Sequence, residues 1–169
     1  MKYLIFSDSH RSTFNMKSVI DRQCGDLDGV IHLGDLYEDA ELLAELYPRL
    51  TIHAVTGNCD LSARYMGGGL DEKLIAVDGF KLLLVHGHRQ MVKSTFSVLE
   101  AYAREKGVDA VLFGHTHERC ERYISEGGKP LYMFNPGSVS RPNSGEPSFG
   151  VLTVEKGQML FSHGDVYVR

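Results

Sequence analysis

Seven side chains of this 169-residue sequence have the donor chemistry to hold divalent cations, and each lies where an apolar run stops: Asp8 and His10, Asp35, Asn58, His86, and His115 with His117. Imidazole nitrogens, carboxylates and one amide oxygen make a mixed N/O set, which suits Mn, Fe, Zn, Co or Ni better than Mg or Ca. Seven donors are too many for one such ion and about right for two. Taken singly the positions say little, because turns favour Asp, Asn and Gly whatever the function. That bland explanation covers Asp35 or Asn58 alone; it does not cover four histidines at the ends of apolar runs as well. Asp8 with His10, and His115 with His117, are i, i+2 pairs, which an extended segment would present on one side.

For residues so far apart to meet, the elements before them must deliver them to one edge. Tyr3 to Phe6 is a short continuous apolar run, as a strand buried on both faces requires. Met16, Val19, Ile20, Cys24 and Leu27 follow helical spacing, with Ser12 or Thr13 as a cap and Gly25 as a stop. A strand over Gly29 to Leu33 runs into Gly34-Asp35. A helix over Glu38 to Tyr47, with Ala40, Leu43, Leu46 and Tyr47 on its apolar side, leads to a strand over Leu50 to Val55 and then Gly57-Asn58. This β-α-β-α-β order implies a parallel sheet. Asp78-Gly79 between Leu74–Val77 and Phe80–Val85 signals a hairpin whose second strand ends at His86-Gly87-His88. A third helix, capped by Ser94 and carrying Phe96, Leu99 and Ala103, precedes a strand over Ala110 to Phe113 and Gly114-His115-Thr116-His117. Hairpins around Gly127-Gly128 and Lys156-Gly157 then make the C-terminal third antiparallel. Ligands of open α/β sheets bind at the carboxyl ends of the strands, which is where all seven donors fall.

The expectation is one domain over residues 1–169: an α/β fold of four αββα layers, two packed mixed β-sheets flanked by helices. A net charge of −4 argues against a broad nucleic-acid-binding surface. No apolar stretch approaches the roughly 20 residues a membrane span needs. Three scattered cysteines without a CxxC pair indicate no disulfide framework, and a cytoplasmic location is expected. The hairpin-rich edges leave a homo-oligomer open. Gly67-Gly68-Gly69 reads as a flexible loop.

Asp8-Ser9-His10, Gly34-Asp35, Gly57-Asn58-Cys59-Asp60, His86 and Gly114-His115-Thr116-His117 together resemble the motif string of the calcineurin-like metallophosphoesterases: D-x-H, G-D, G-N-[H/C]-[E/D], H and G-H-x-H. The resemblance runs in order over nearly the whole chain, down to Asn135-Pro136-Gly137-Ser138, and is strongest to the small single-domain phosphodiesterases, a subgroup that includes the retromer subunit of this fold. It implies a metal-dependent phosphoesterase, foremost a phosphodiesterase, acting on a small phosphoester with two divalent ions, Mn²⁺ first and Ni²⁺, Zn²⁺, Fe²⁺ or Co²⁺ as alternatives. Asp8, His10, Asp35 and His117 would hold one ion, and Asp35, Asn58, His86 and His115 the other, with Asp35 bridging. A bridging hydroxide would attack phosphorus in line.

The chain departs from the larger members at Cys59, where they carry the histidine thought to protonate the leaving group. Either His88 or a metal-bound water supplies that proton, or the substrates need little protonation; the expectation adopted is that His88 assists, so Asp35, Asn58 and His88 are the catalytic candidates. Arg11 and Arg141 could touch a phosphate oxygen, though each could equally be an ordinary surface arginine. His32 and His53 read as core or sheet-face residues, His163 carries no assignment, and Cys24 and Cys120 read as small hydrophobes. A phosphomonoesterase and a non-catalytic scaffold like the retromer subunit are the alternatives; the intact Asp35 and Asn58 disfavour the scaffold.

Overall fold

A computed structural model describes residues 1–23, 25–61, 63 and 68–167. Its elements are β1 (Lys2–Phe6), α1 (Thr13–Gln23), β2 (Gly29–His32), α2 (Tyr37–Leu46), β3 (Thr51–Ala54), β4 (Glu72–Val77), β5 (Phe80–Val85), α3 (Ser97–Glu105), β6 (Ala110–Leu112), β7 (Arg119–Ile124), β8 (Leu131–Pro136), β9 (Ser148–Glu155) and β10 (Gln158–Asp165). The strands form two five-stranded mixed sheets, ordered β10-β9-β1-β2-β3 and β4-β5-β6-β8-β7.

The alternation of side chains along each central strand explains why two sheets stack with helices outside. Tyr3 and Ile5 of β1 point into the space between the sheets, where they meet Leu82 and Leu84 of β5, Leu112 of β6 and Phe134 of β8. Leu4 and Phe6 point the other way, onto Met16, Val19 and Ile20 of α1 and Leu43 of α2. Leu83 and Val85 likewise turn outward onto Leu99 and Ala103 of α3. Runs apolar on both faces thus produce the four-layer αββα arrangement. No helix among the described residues is long and apolar enough to cross a membrane.

β1, β2 and β3 pair in parallel, as the β-α-β-α-β order requires. The two C-terminal hairpins part company: β7–β8 completes the second sheet, while β9 enters the first beside β1, with β10 on its outer edge. β8 also pairs in parallel with β6, so the last third is not purely antiparallel. The reason is that each sheet still has an open edge when the chain reaches that point.

Three local expectations need correction. Ser94 does not cap the third helix; it sits in a turn, its N–H bonded to the Met91 carbonyl, and the Thr95 hydroxyl accepts the Ser97 N–H at 3.2 Å instead. Leu46 is exposed rather than on the apolar side of α2, whereas Ala40 and Leu43 are buried and Tyr47 packs against the core as expected. Phe113 lies one residue beyond β6, although it is fully buried. The expectations placed on Cys24 and Gly67 lie outside the described residues. Cys120 packs half-buried against the α3 cluster, as a small hydrophobe does.

Phe134 is buried between the sheets, its ring 4.8 Å from Phe161 and 4.5 Å from His163. Phe134→Ala should cost about 3–5 kcal/mol in urea unfolding, by lost transfer energy and a residual cavity.

Candidate metal centre

Each strand that points at the site ends in a sharp turn rather than an extended tail. Asp8 (φ 54°), His10 (φ 43°), Asp35 (φ 58°), His115 (φ 68°) and His117 (φ 58°) all hold left-handed backbone. The i, i+2 pairs therefore do not share one side of an extended segment; the turns fold each side chain back over the strand ends. Such conformations cost of order 1–3 kcal/mol each in non-glycine residues and persist only where neighbours enforce them. Here Asp8 N–H bonds the Gly34 carbonyl at 3.0 Å, and His115 N–H bonds Asp8 Oδ2 at 3.2 Å.

The turns bring together two adjoining sets of donors with Asp35 between them, and Asp8 Oδ1 also lies 3.9 Å from His86 Nε2. Asp8, His10, Asp35 and His117 offer ligand atoms all within 4.8 Å of one another. In this set His117 Nε2 is 3.2 Å from Asp8 Oδ1 and 3.5 Å from His10 Nε2, and His10 Nε2 is 3.9 Å from Asp35 Oδ2. On the other side His86 Nε2 lies 3.1 Å from Asn58 Oδ1 and 3.5 Å from Asp35 Oδ1, with the His115 ring 5.0 Å from the His86 ring. Asp35 faces the first set with one oxygen and the second with the other.

The chemistry of these contacts fits cations. His86 Nδ1 is 2.8 Å from the Leu33 carbonyl, and His117 Nδ1 is 2.6 Å from the Arg141 carbonyl. A carbonyl only accepts, so each Nδ1 carries the hydrogen and each ring turns its Nε2 into the cluster. His86 Nε2 and Asn58 Oδ1 then face each other as two acceptors. Asp8 Oδ1 is fully buried and makes no hydrogen bond. Acceptors crowded together with no donor between them are costly unless a positive charge sits among them.

Protons compete for the same lone pairs. Burial pushes the Asp8 carboxyl up, and the neighbouring His117 and His86 imidazoles more than offset it, leaving Asp8 below the usual range. His117 is raised, first by Asp8. Burial lowers His10, and lowers His115 to about 4, so both are neutral and ready to ligate at pH 7.

Beneath the cluster lies a layer of buried carboxylates that spacing alone did not single out. Asp60 accepts the N–H groups of Asp35 (3.1 Å), Leu36 (2.9 Å), Tyr37 (2.8 Å) and Gly57 (2.6 Å), tying the Asp35 turn and the start of α2 to the Asn58 turn. Negative charge is favoured at this helix N-terminus. Asp39 accepts from the Ser9 hydroxyl at 2.7 Å and from Arg11 N–H at 2.9 Å. Ser9 in turn meets His32 Nε2 at 3.0 Å, and His32 Nδ1 accepts the Gly34 N–H. His32 is thus a satisfied core histidine, as expected, and it also braces two metal-side turns. Asp60 was visible within Gly57-Asn58-Cys59-Asp60, but Asp39 had no signal beyond its place in a helix. Gly57 has no room for a side chain, since a Cβ there would lie 2.2 Å from Asp35 Oδ1.

The C-terminal loop joins this support. Asn135 Nδ2 donates to the Gly114 carbonyl at 2.9 Å and to Thr116 Oγ1 at 3.1 Å, clasping the turn between His115 and His117. The hydroxyls of Ser138 and Ser140 both donate to the Asp8 carbonyl. His163, unassigned from the sequence, bonds the Asn135 carbonyl at 2.8 Å. His53 stacks 6.1 Å from Tyr3, away from the cluster.

His88 is half-buried beside the second donor set, its ring 5.4 Å from His86 and 6.1 Å from His115. Cys59 gives its N–H to Asp35 Oδ1 at 2.9 Å, and its thiol is pushed up to about 11 by burial and the adjacent Asp35 charge. Arg11 and Arg141 are exposed at the rim, and their backbones, not their guanidiniums, make the contacts described above.

Residues 1–157 match the calcineurin-like phosphoesterase superfamily domain. The chain belongs to this superfamily. Among curated relatives, a probable metallophosphoesterase of Bacillus subtilis (strain 168) is 34% identical over 157 residues, covering 92% of this chain and 85% of its own. A phosphodiesterase of Methanocaldococcus jannaschii is 29% identical, covering 92% and 95% respectively. Among solved structures, a predicted phosphoesterase from Streptococcus pneumoniae TIGR4 superposes with a TM-score of 0.78 at 25% identity, over 98% of this chain and 89% of that one. Vps29 from Entamoeba histolytica, solved with Zn²⁺, gives a TM-score of 0.71 at 26% identity over 99% and 100%.

Asp60→Ala should lower the unfolding free energy by about 3 kcal/mol, since it strands buried N–H groups, and weaken metal binding about 10–100-fold by calorimetric titration. The metal-free protein should also be less stable at pH 5.5 than at pH 7.5. Burial lowers the folded-state pKa of His10, His32, His53 and His115, so the unfolded chain takes up more protons as pH falls through about 6.5, and stability falls with it. The raised His117 opposes the trend alone among these five. Urea midpoints at the two pH values test the sign.

Proposed function

We propose that this chain is a phosphodiesterase working with two divalent cations. Asp8, His10, Asp35 and His117 would hold one ion, and Asp35, Asn58, His86 and His115 the other. The observation that carries the reading is Asp35, whose two oxygens face two separate donor sets 3.9 and 3.5 Å away. When bound, such ions supply Lewis-acid charge on a phosphoryl oxygen and lower the pKa of a water that can attack phosphorus. The N/O donor set favours Mn²⁺, with Ni²⁺, Zn²⁺, Fe²⁺ and Co²⁺ as alternatives.

The protein's own groups do the rest. The Leu33 and Arg141 carbonyls take up the Nδ1 hydrogens of His86 and His117, so both rings aim Nε2 at the ions. Asn58 sits exposed at the rim, where its amide reaches substrate as well as the second ion. With its thiol held near 11, Cys59 is a weak acid at neutral pH, and His88 is the imidazole proposed to give the leaving alkoxide its proton. The phosphodiesterase named among the relatives supports the diester assignment. A phosphomonoesterase of the same chemistry is the second reading.

Purified protein loaded with Mn²⁺ should hydrolyse bis(p-nitrophenyl) phosphate, and Asn58→Ala should lower kcat/KM by about 100-fold. His88→Ala should slow esters with poor leaving groups more than the nitrophenyl ester. Full metal occupancy without turnover for any of the five metals would sink the enzyme reading and favour a scaffold.

A further inference from the structure

Beside the metal centre a cleft of about 700 Å³ runs from His86 and His88 to the exposed face of α3. That volume lies within the range of small-molecule sites. One wall carries Val98, Ala101 and Tyr102, whose hydroxyl donates to Glu72. The rim is acidic. Asp71, Glu72 and Glu105 line the cleft against a single cation, Arg89. Arg89 Nη2 is committed to Asp71 Oδ2 at 2.7 Å, and Lys106 Nζ, from outside the lining, meets Glu72 at 2.8 Å. Glu105 is exposed and has no ion pair among the described residues.

Resting on the phosphodiesterase reading, we infer that this cleft selects the substrate: it takes an uncharged ring-bearing substituent of the diester, rich in hydroxyl or amino donors, such as a nucleoside, and excludes one carrying a second phosphate. Three features lead there. The cleft opens directly off His86, so a phosphate at the metal centre places its substituent within it. Val98 and Ala101 offer a ring apolar surface to cover. Asp71 and Glu72 are already engaged by Arg89, Lys106 and the Tyr102 hydroxyl, so Glu105 is the rim carboxylate that accepts hydrogen bonds from hydroxyl or amino groups and repels a further anion within a Debye length of about 8 Å. Val98 is 44% exposed although it faces this cleft, so its apolar surface has no cover within the fold.

Two chromogenic diesters separate this inference from the reading it rests on: thymidine 5′-(p-nitrophenyl phosphate) and methyl p-nitrophenyl phosphate, each with Mn²⁺-loaded protein. Ala101→Trp, a substitution on the exposed face of α3, should raise KM for the thymidine ester about tenfold or more and leave the methyl ester within about twofold. Glu105→Lys should shrink the preference for the thymidine ester over its 3′-phosphorylated form at least about fivefold. In metal-free protein, which turns over neither ester, the thymidine ester should shift the backbone amide signals of Val98 and Ala101. Equal effects of Ala101→Trp on both esters, or amide shifts elsewhere only, overturn the cleft assignment while leaving the phosphodiesterase reading intact. Amide shifts at Val98 and Ala101 without hydrolysis of either ester overturn the phosphodiesterase reading and leave the cleft as a ligand site.

Discussion

The constraint on which this structure turns is the crowding of acceptors. Asp8 Oδ1, both oxygens of Asp35, Asn58 Oδ1 and the Nε2 atoms of His10, His86 and His117 converge, and Asp8 Oδ1 has no hydrogen-bond partner among the described residues. A chain left to itself would separate these groups, because buried acceptors facing one another lose solvation and gain nothing. The protein holds them together by rigid means: five left-handed ligand residues in three strand-end turns, imidazoles anchored through Nδ1 and a backbone cradle around Asp60. Divalent cations, which the phosphoesterase family and this donor set both suggest, would offset that cost by placing positive charge among the acceptors.

The fold serves this end in a specific way. Two sheets stacked through Ile5, Leu84, Leu112 and Phe134 align the ends of five strands along one edge. β1 and β2 deliver Asp8, His10 and Asp35 from the first sheet; β5 and β6 deliver His86, His115 and His117 from the second. The candidate metal centre therefore bridges the sheets, and its geometry depends on how they pack. β8 and β9 reinforce the joint from behind: Asn135 clasps the second sheet's turn, and Ser138, a short step further on, holds the Asp8 carbonyl of the first.

The support under the metal centre is made of charges rather than apolar packing. Asp60 and Asp39 are buried and satisfied almost wholly by backbone N–H groups and one serine hydroxyl. Replacing either by a hydrophobe would leave donors unpaired, which is why these positions have chemical identity without touching a ligand. Cys59 is the opposite case. Its backbone N–H steadies Asp35, its thiol is a weak acid, and the position tolerates a residue other than histidine because the structural part of its role belongs to the main chain.

Much of this was readable from residue order alone. Short runs apolar on both faces announced central strands and the four-layer fold, since only strands covered on both sides can be so uniformly apolar. Asp, His and Asn at the ends of those runs announced a metal site, because strand ends in parallel arrangements share an edge. What only the tertiary structure decided is of another kind. The left-handed turns at His115 and His117 send the two rings to different donor sets, which spacing by itself represented as a shared side. The division of the last two hairpins between the sheets, the cradle at Asp60, the His32–Ser9–Asp39 bracing and the cleft against α3 all depend on contacts between residues far apart in the chain. Periodicity reports the face a residue occupies within its own element; which partner that face meets is fixed only when the elements pack.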